Sequence, residues 1–458
     1  MGKRTPNAQV DMTVGSPLGL ILRFALPMMI GNIFQQLYNL VDSIVVGRFV
    51  GSLELGGIGC TGSIHYLVFS LGYGISSGIG VMLAILYGAK KKEQLSRAVY
   101  NGFYAVGAVA LLIATVGLFG APSVLRWMDT PEAVYPFALS YLRITMLGSV
   151  ATLLYCAISA VMRAFGDSKT PLYIMIACCI VNVVLDLWFV LGFHMGVEGV
   201  AWATIIAQGI SAVLGYILVC RNIPAARIKP GSLRPDRALL RQCIRLGIPM
   251  AIQDMMIAVS CMVLQRVVNG FGEVVVTANM AVSKIEELVQ QPYGSLSAAM
   301  AAFTGQNIGA RRNDRVKEGF RAGMTIMLSF SAVMVLVVQL FGPQILSIFV
   351  VDQEIIAIGA KALRITSLFY VFLGTIYVAR GTLNGAGDTV YAAMNGVVEL
   401  ICRLCLAKPL TLIPGLGVWG CFLCSGLTWM GTGLLSFSRF LSGKWNKTPA
   451  IQEAMKEA

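Results

Sequence analysis

The chain has 458 residues, 57% hydrophobic and only 12% charged, against about 25% charged in an ordinary soluble domain. Its apolar runs, such as 102–120, 171–193 and 324–341, each approach the length that crosses roughly 30 Å of hydrocarbon. A soluble fold can bury one such helix but not a dozen, so a soluble class is excluded, and the net charge of +13 sits in loops rather than on a nucleic-acid-binding face.

Twelve apolar helices are predicted in an all-α membrane protein: 18–46, 53–87, 99–120, 137–161, 170–193, 197–220, 242–268, 274–306, 319–341, 360–383, 389–412 and 416–440. The first, second, seventh and eighth exceed what a bilayer requires, which predicts tilt, a kink or protrusion. A polar start of about 15 residues precedes the first run and no small-residue cleavage site follows, so no cleavable signal peptide is expected. Basic residues crowd the two ends and the 2/3, 4/5, 6/7 and 8/9 loops, with Arg163 and Lys169 in the 4/5 loop. The opposite face has only Arg48, Arg126, Arg143, Arg266, Lys361, Arg364 and Lys408. This positive-inside pattern predicts a multi-pass protein of the plasma (inner) membrane with both termini cytoplasmic.

The chain repeats itself. Leu142-Arg143-Ile144-Thr145 returns as Leu363-Arg364-Ile365-Thr366, and Gly88-Ala89-Lys90-Lys91 as Gly309-Ala310-Arg311-Arg312. Gly166-Asp167 returns as Gly387-Asp388, and Pro27 meets Pro249. The shift, 221 or 222 residues, is too long for a solenoid and marks a duplicated half. The expected plan is a cytoplasmic segment 1–17, an N-lobe 18–220, a basic cytoplasmic linker 221–241, a C-lobe 242–440 and a tail 441–458. Six helices per half give a parallel repeat, with a central cleft as the natural substrate site.

Several catalytic spellings have duller explanations. Gly57-x-Gly59-x-x-Gly62 has no strand before it, and Gly74-x-Ser76-x-Gly78 lies inside a predicted helix. Small residues so spaced let helices pack closely. Cys402-x-x-Cys405 and Cys421-x-x-Cys424 fit a zinc spacing but sit in apolar helices, where cysteine behaves as a small hydrophobe. The only histidines are His65 and His194, and no hydrolytic constellation is visible.

Polar residues inside the membrane are functional candidates by default. The first helix carries Asn32, Gln35, Asn39 and Asp42 on one face, and the fifth carries Asn182 and Asp186 one turn apart. Two carboxylates close together in an apolar bundle cannot both ionise cheaply, so the pair would hold a proton or a sodium ion. The plainer reading is that each acid pairs with a distant arginine. The second half does not copy them: Leu264 and Ala407 stand at the shifted positions. It offers instead Gln253, Asp254 and Met256, then Glu286, Glu287, Gln290 and Gln291. Candidate substrate-cavity residues are therefore Gln35, Asn39, Tyr73, Gln253, Asp254, Met256, Glu287 and Gln290. Glu399 and Arg403, four apart, read as a structural ion pair.

Taken together, the opening Pro27–Gly51 with its Val41-Asp42-Ser43 core, the duplicated Gly-Ala-basic-basic motif, Arg163 to Ser168 and Asn182-x-x-x-Asp186 resemble the multidrug and toxic compound extrusion (MATE) family. The resemblance is closer to the DinF-type branch than to the NorM-type branch, whose helix 7 glutamate has no counterpart at the expected place here, with Asp254 and the Glu286/Glu287 pair as the candidate substitutes. It implies two six-helix lobes in a V shape and export of cationic, amphipathic compounds driven by proton or sodium entry. It implies a cation site of Asp42, Asn182, Asp186 and Thr204, with Ser159 where that branch often has an amide, and a conformational role for Pro27. No cofactor is expected, and no metal other than a sodium ion at that site. The expected partners are small molecules and the lipid bilayer, with no nucleic acid, and the expected state is a monomer. The alternative is a flippase for a lipid-linked oligosaccharide or lipid precursor, and a third reading is a membrane-embedded enzyme.

Overall fold

The computed structural model describes residues 10–128, 130–227 and 233–447. The expected N-terminal segment, linker and tail therefore lie partly outside the described residues, as do Lys3, Arg4, Lys229 and Lys456. The regular structure of the described residues is all helical, in the order α1 (Pro17–Val45), α2 (Ser52–Gly88), α3 (Lys92–Trp127), α4 (Tyr135–Leu147), α5 (Ser149–Ala164), α6 (Lys169–Leu187) and α7 (Gly196–Asn222). There follow α8 (Arg237–Asn269), α9 (Glu273–Gly309), α10 (Asn313–Ser347), α11 (Gln353–Ser367), α12 (Tyr370–Gly385), α13 (Thr389–Thr411) and α14 (Trp419–Leu441).

Among the described residues nine helices are long and apolar enough to cross a membrane, and two bent pairs bring the number to eleven. The predicted eighth span, 274–306, corresponds to α9, whose Lys284, Glu286 and Glu287 keep it below that apolarity. The predicted fourth and tenth spans are each a bent pair: α4 and α5 meet at 47°, α11 and α12 at 53°. Each bend follows one copy of the Leu-Arg-Ile-Thr repeat. The Thr145 hydroxyl donates back to the Tyr141 carbonyl (2.9 Å) and that of Thr366 to the Leu363 carbonyl (3.4 Å), a side-chain bond that favours bending.

The duplication is a duplication of turns. Lys90 and Arg311 have φ of 58° and 59°, Gly166 and Gly387 80° and 74°, Gly196 and Gly417 60° and 50°. The two Gly-Ala-basic-basic motifs end α2 and α9 identically: Lys91 N–H bonds the Leu86 carbonyl and Lys90 N–H that of Tyr87, as Arg312 and Arg311 bond Asn307 and Ile308. This is the Schellman helix stop, with a cation suited to the negative helix end. Gly166-Asp167 and Gly387-Asp388 close α5 and α12 in the same way.

The chain divides into two compact units. The first contains Leu26–Ala251, the second Met12–Ala25 and the described chain from Ile252, so the division falls inside α1 and α8, beside Pro27 and Pro249. In the first unit α2 packs on α3, α4 and α5, and α6 on α7; in the second, α12 packs on α9, α10 and α14, and α13 on α14. Met12 is fully buried in the second unit, where its N–H donates to Gln306 Oε1 (2.9 Å) and its carbonyl accepts from Asn307 Nδ2 (3.1 Å). The glycines of the rejected spellings are packing residues. A Cβ on Gly74 would stand 2.5 Å from the Ala251 backbone nitrogen, and one on Gly78 2.6 Å from that of Gly247. Gly74→Val is expected to cost about 3 kcal/mol, since neither backbone can retreat; thermal melting of purified protein checks this.

Candidate functional site

α1 and α6 run side by side in one direction. Gly31 lies beside Leu172, the Cys179 thiol donates to the Phe34 carbonyl (3.8 Å), and Asp42 meets Asp186, an almost constant offset along both helices. With α2, α4, α5 and α7 they enclose a cavity of about 680 Å³ in the first unit. The polar stripe of α1 faces it: Asn32, Gln35, Tyr38, Asn39 and Asp42 all line the cavity, as do Pro27 and, from α2, Tyr73. From α5 comes Ser159 and from α7 Thr204. Helical spacing of three and four explains why these residues share one wall.

Asn182 and Asp186 are 1% and 0% exposed and lie behind the lining. The carboxyl groups of Asp42 and Asp186 come within hydrogen-bonding reach of each other. Two acids so placed share a bond only by holding a proton between them, and otherwise need a cation there. Tyr38, which contacts both Asp42 and Thr204, closes the group. Just beyond the acids both helices relax into a π-turn, Val46–Val50 after α1 and Trp188–Gly192 after α6. There Val45, Val46, Val190 and Val200 form a buried apolar cluster. The arrangement can hold one small cation, or one proton, between two acids at the dry end of a polar cavity.

The second-half candidates do not join this cavity. Gln253 is buried against Gly396, and Met256 packs on the same glycine. Glu287 pairs with Lys284 (3.0 Å), and Gln290 Oε1 accepts from the Tyr377 hydroxyl (3.0 Å). Asp254 lies within electrostatic reach of Arg380 and Glu399. Glu399 and Arg403 stand 3.8 Å apart, both buried, with Arg403 also donating to Ser260. Among the described residues no three His, Cys, Asp or Glu side chains converge as metal ligands.

Among the lining residues that escape the sequence reading are Tyr38, Gln208 and Arg163. Tyr38 sits in register with Gln35 and Asp42 and Gln208 one turn beyond Thr204, so periodicity points to both. Arg163, expected in the 4/5 loop, belongs to the last turn of α5 and lines the cavity one turn beyond Ser159.

The sequence model of the MatE family matches residues 27–188 and 249–407. The chain is 30% identical over 448 residues to "Probable multidrug resistance protein YpnP" of Bacillus subtilis (strain 168), covering 97% of this chain and 99% of the relative. It is 29% identical over 408 residues to "Probable multidrug resistance protein YoeA" of the same strain, covering 86% and 88%. A solved MOP superfamily transporter from Pyrococcus furiosus has the same fold, with a TM-score of 0.90 at 22% identity over 97% of this chain and 100% of the other. Two matched segments, opening at the repeated Pro27 and Pro249 and covering well over half the sequence, make this chain a member of the MATE transporter family.

Proposed function

We propose that the chain is a secondary active efflux transporter that exchanges a proton or sodium ion for cationic, amphipathic drugs or toxic metabolites. The observation that carries this is the Asp42–Asp186 carboxyl pair at the end of a polar cavity inside membrane helices. Asn182 and Thr204 complete the coupling site around the pair, whereas Ser159, expected there from the resemblance, lies one turn from Arg163 towards the other end of the cavity; the placement of Asp42 and Asp186 on α1 and α6 supports the DinF-type resemblance. The names of the relatives support multidrug export.

Cation entry neutralises the acids, and α1 then bends near Pro27, shrinking the first-unit cavity and expelling substrate by alternating access. A ligand moves such an equilibrium only through its different affinity for the two states. The protein works in the plasma (inner) membrane with both termini cytoplasmic, and residues 221–241 join two six-helix halves. Glu287, Gln290, Gln253, Asp254 and Met256 belong to the second half's share of substrate recognition. A flippase fits less well, because Asp42 and amides line the cavity rather than a ring of cations.

Proteoliposomes with a separately imposed proton or sodium gradient test the reading. Dye export is expected under one gradient and to stop when that gradient is collapsed. Equal export with neither gradient removes the coupling scheme.

A further inference from the structure

The first-unit cavity contains a second fixed charge that the acid pair does not use. Arg163 lines the cavity together with Ser76, Ser159 and Gln208. Among the described residues its guanidinium makes no hydrogen bond and no ion pair. Its neighbour in sequence, Asp167, is already engaged as the cap of α6. Asp167 Oδ1 accepts from the N–H groups of Lys169 (3.1 Å) and Thr170 (2.9 Å), and Oδ2 from the Thr170 hydroxyl.

Structural arginines elsewhere in the chain behave differently. Arg403 has Glu399, and Arg439 Nε has Asp388 Oδ2 at 2.8 Å. The position that repeats Arg163 in the second half is the uncharged Asn384. Two more polar atoms of the lining want partners: Ser159 Oγ, one turn before Arg163 on α5, and Ser76 Oγ, on a residue of α2 that is 3% exposed, are buried with no hydrogen bond. Two hydroxyls and a guanidinium fork line one cavity.

The cavity is polarised along its length. Arg163 ends α5 just before the turn into α6, at the level of Pro171, while Asp186 lies fifteen residues further along α6. At 1.5 Å per residue that is about 22 Å of helix between the two levels. A guanidinium half-buried on a cavity wall has given up part of its hydration, and a bound anion replaces it with direct charge-assisted bonds. Its planar fork matches a carboxylate with two parallel hydrogen bonds. A single positive charge balances one negative charge, which favours a monoanion over a doubly charged phosphate.

We propose that the Arg163 end of the cavity is a docking subsite for the carboxylate of amphoteric substrates, so that zwitterions are accepted alongside permanent cations. The word substrate rests on the efflux reading above. The probes are rhodamine 110, with a free carboxylate, and rhodamine 123, its methyl ester, bound to the purified full chain in detergent and read by fluorescence polarisation. The wild type is expected to prefer the free acid. In Arg163→Gln that preference, the ratio of the two Kd values, is expected to fall at least tenfold, with Arg163→Lys retaining part of it. A ratio unchanged in monodisperse Arg163→Gln protein, or a wild type without preference, overturns the subsite. Because binding is read without any gradient, a chain that shows the Arg163-dependent preference yet exports neither dye sinks the efflux reading and leaves the subsite standing.

Discussion

Asp42→Asn is expected to abolish gradient-driven export while the chain is still made and inserted. The amide has the shape of the acid but carries no negative charge and does not titrate. Asp42 is the member of the pair that faces the cavity, and Asp186 is sealed behind it. On the proposed exchange, an incoming ion then has no charged ligand to reach first, and Asp186 loses its acidic neighbour. One charge moving inward gains about 2.3 kcal/mol per 100 mV, enough for a roughly fifty-fold concentration ratio. That ratio is expected to collapse to about one. Ethidium efflux from energised vesicles measures it, with size-exclusion profiles as the control for folding. Undiminished efflux would mean that the acids serve packing rather than coupling.

Arg403→Met is expected to destabilise the second unit by about 3–5 kcal/mol, the usual result of leaving one buried charge of a pair alone. Both side chains are buried, 6% exposed for Arg403 and 7% for Glu399. Arg403 adds bonds to Ser260 and to Cys261 Sγ (3.1 Å), so its loss also strips two polar neighbours. The double variant Glu399→Gln, Arg403→Met removes both charges and is expected to recover most of the stability. Melting temperatures of wild type, single and double variants in one detergent decide this. A single variant that melts with the wild type, or a double that is no better, would place the pair among contacts of little energetic weight.

Much of the fold was legible because apolar runs report membrane helices directly, and the 221-residue repeat recovers turns as well as spans. The bends at Gly148 and after Ser367 were not, since neither has a proline, and a threonine inside an apolar run does not announce that its hydroxyl bonds back to its own helix. The division inside α1 and α8 is also silent in the sequence. Polar composition marks a connection such as 221–241, whereas packing decides which unit a residue joins. The stripe from Asn32 to Asp42 stood out as polar residues at helical spacing. Tyr38 hid within it, because an aromatic ring reads as apolar until its hydroxyl is seen beside Asp42. Arg163 hid for the opposite reason: next to a Gly-Asp stop a cation reads as a loop charge, yet α5 runs to Ala164 and keeps the side chain at the cavity.

The four valines beyond the acids have a consequence for the resting state. Val45, Val46, Val190 and Val200 offer no oxygen to a passing ion. Stripping a bare charge of its water to enter so poor a dielectric costs of order 20 kcal/mol in the ideal limit. On the proposed exchange, a layer of this kind next to the acids would insulate the membrane while the carrier idles, so that an empty site does not leak ions.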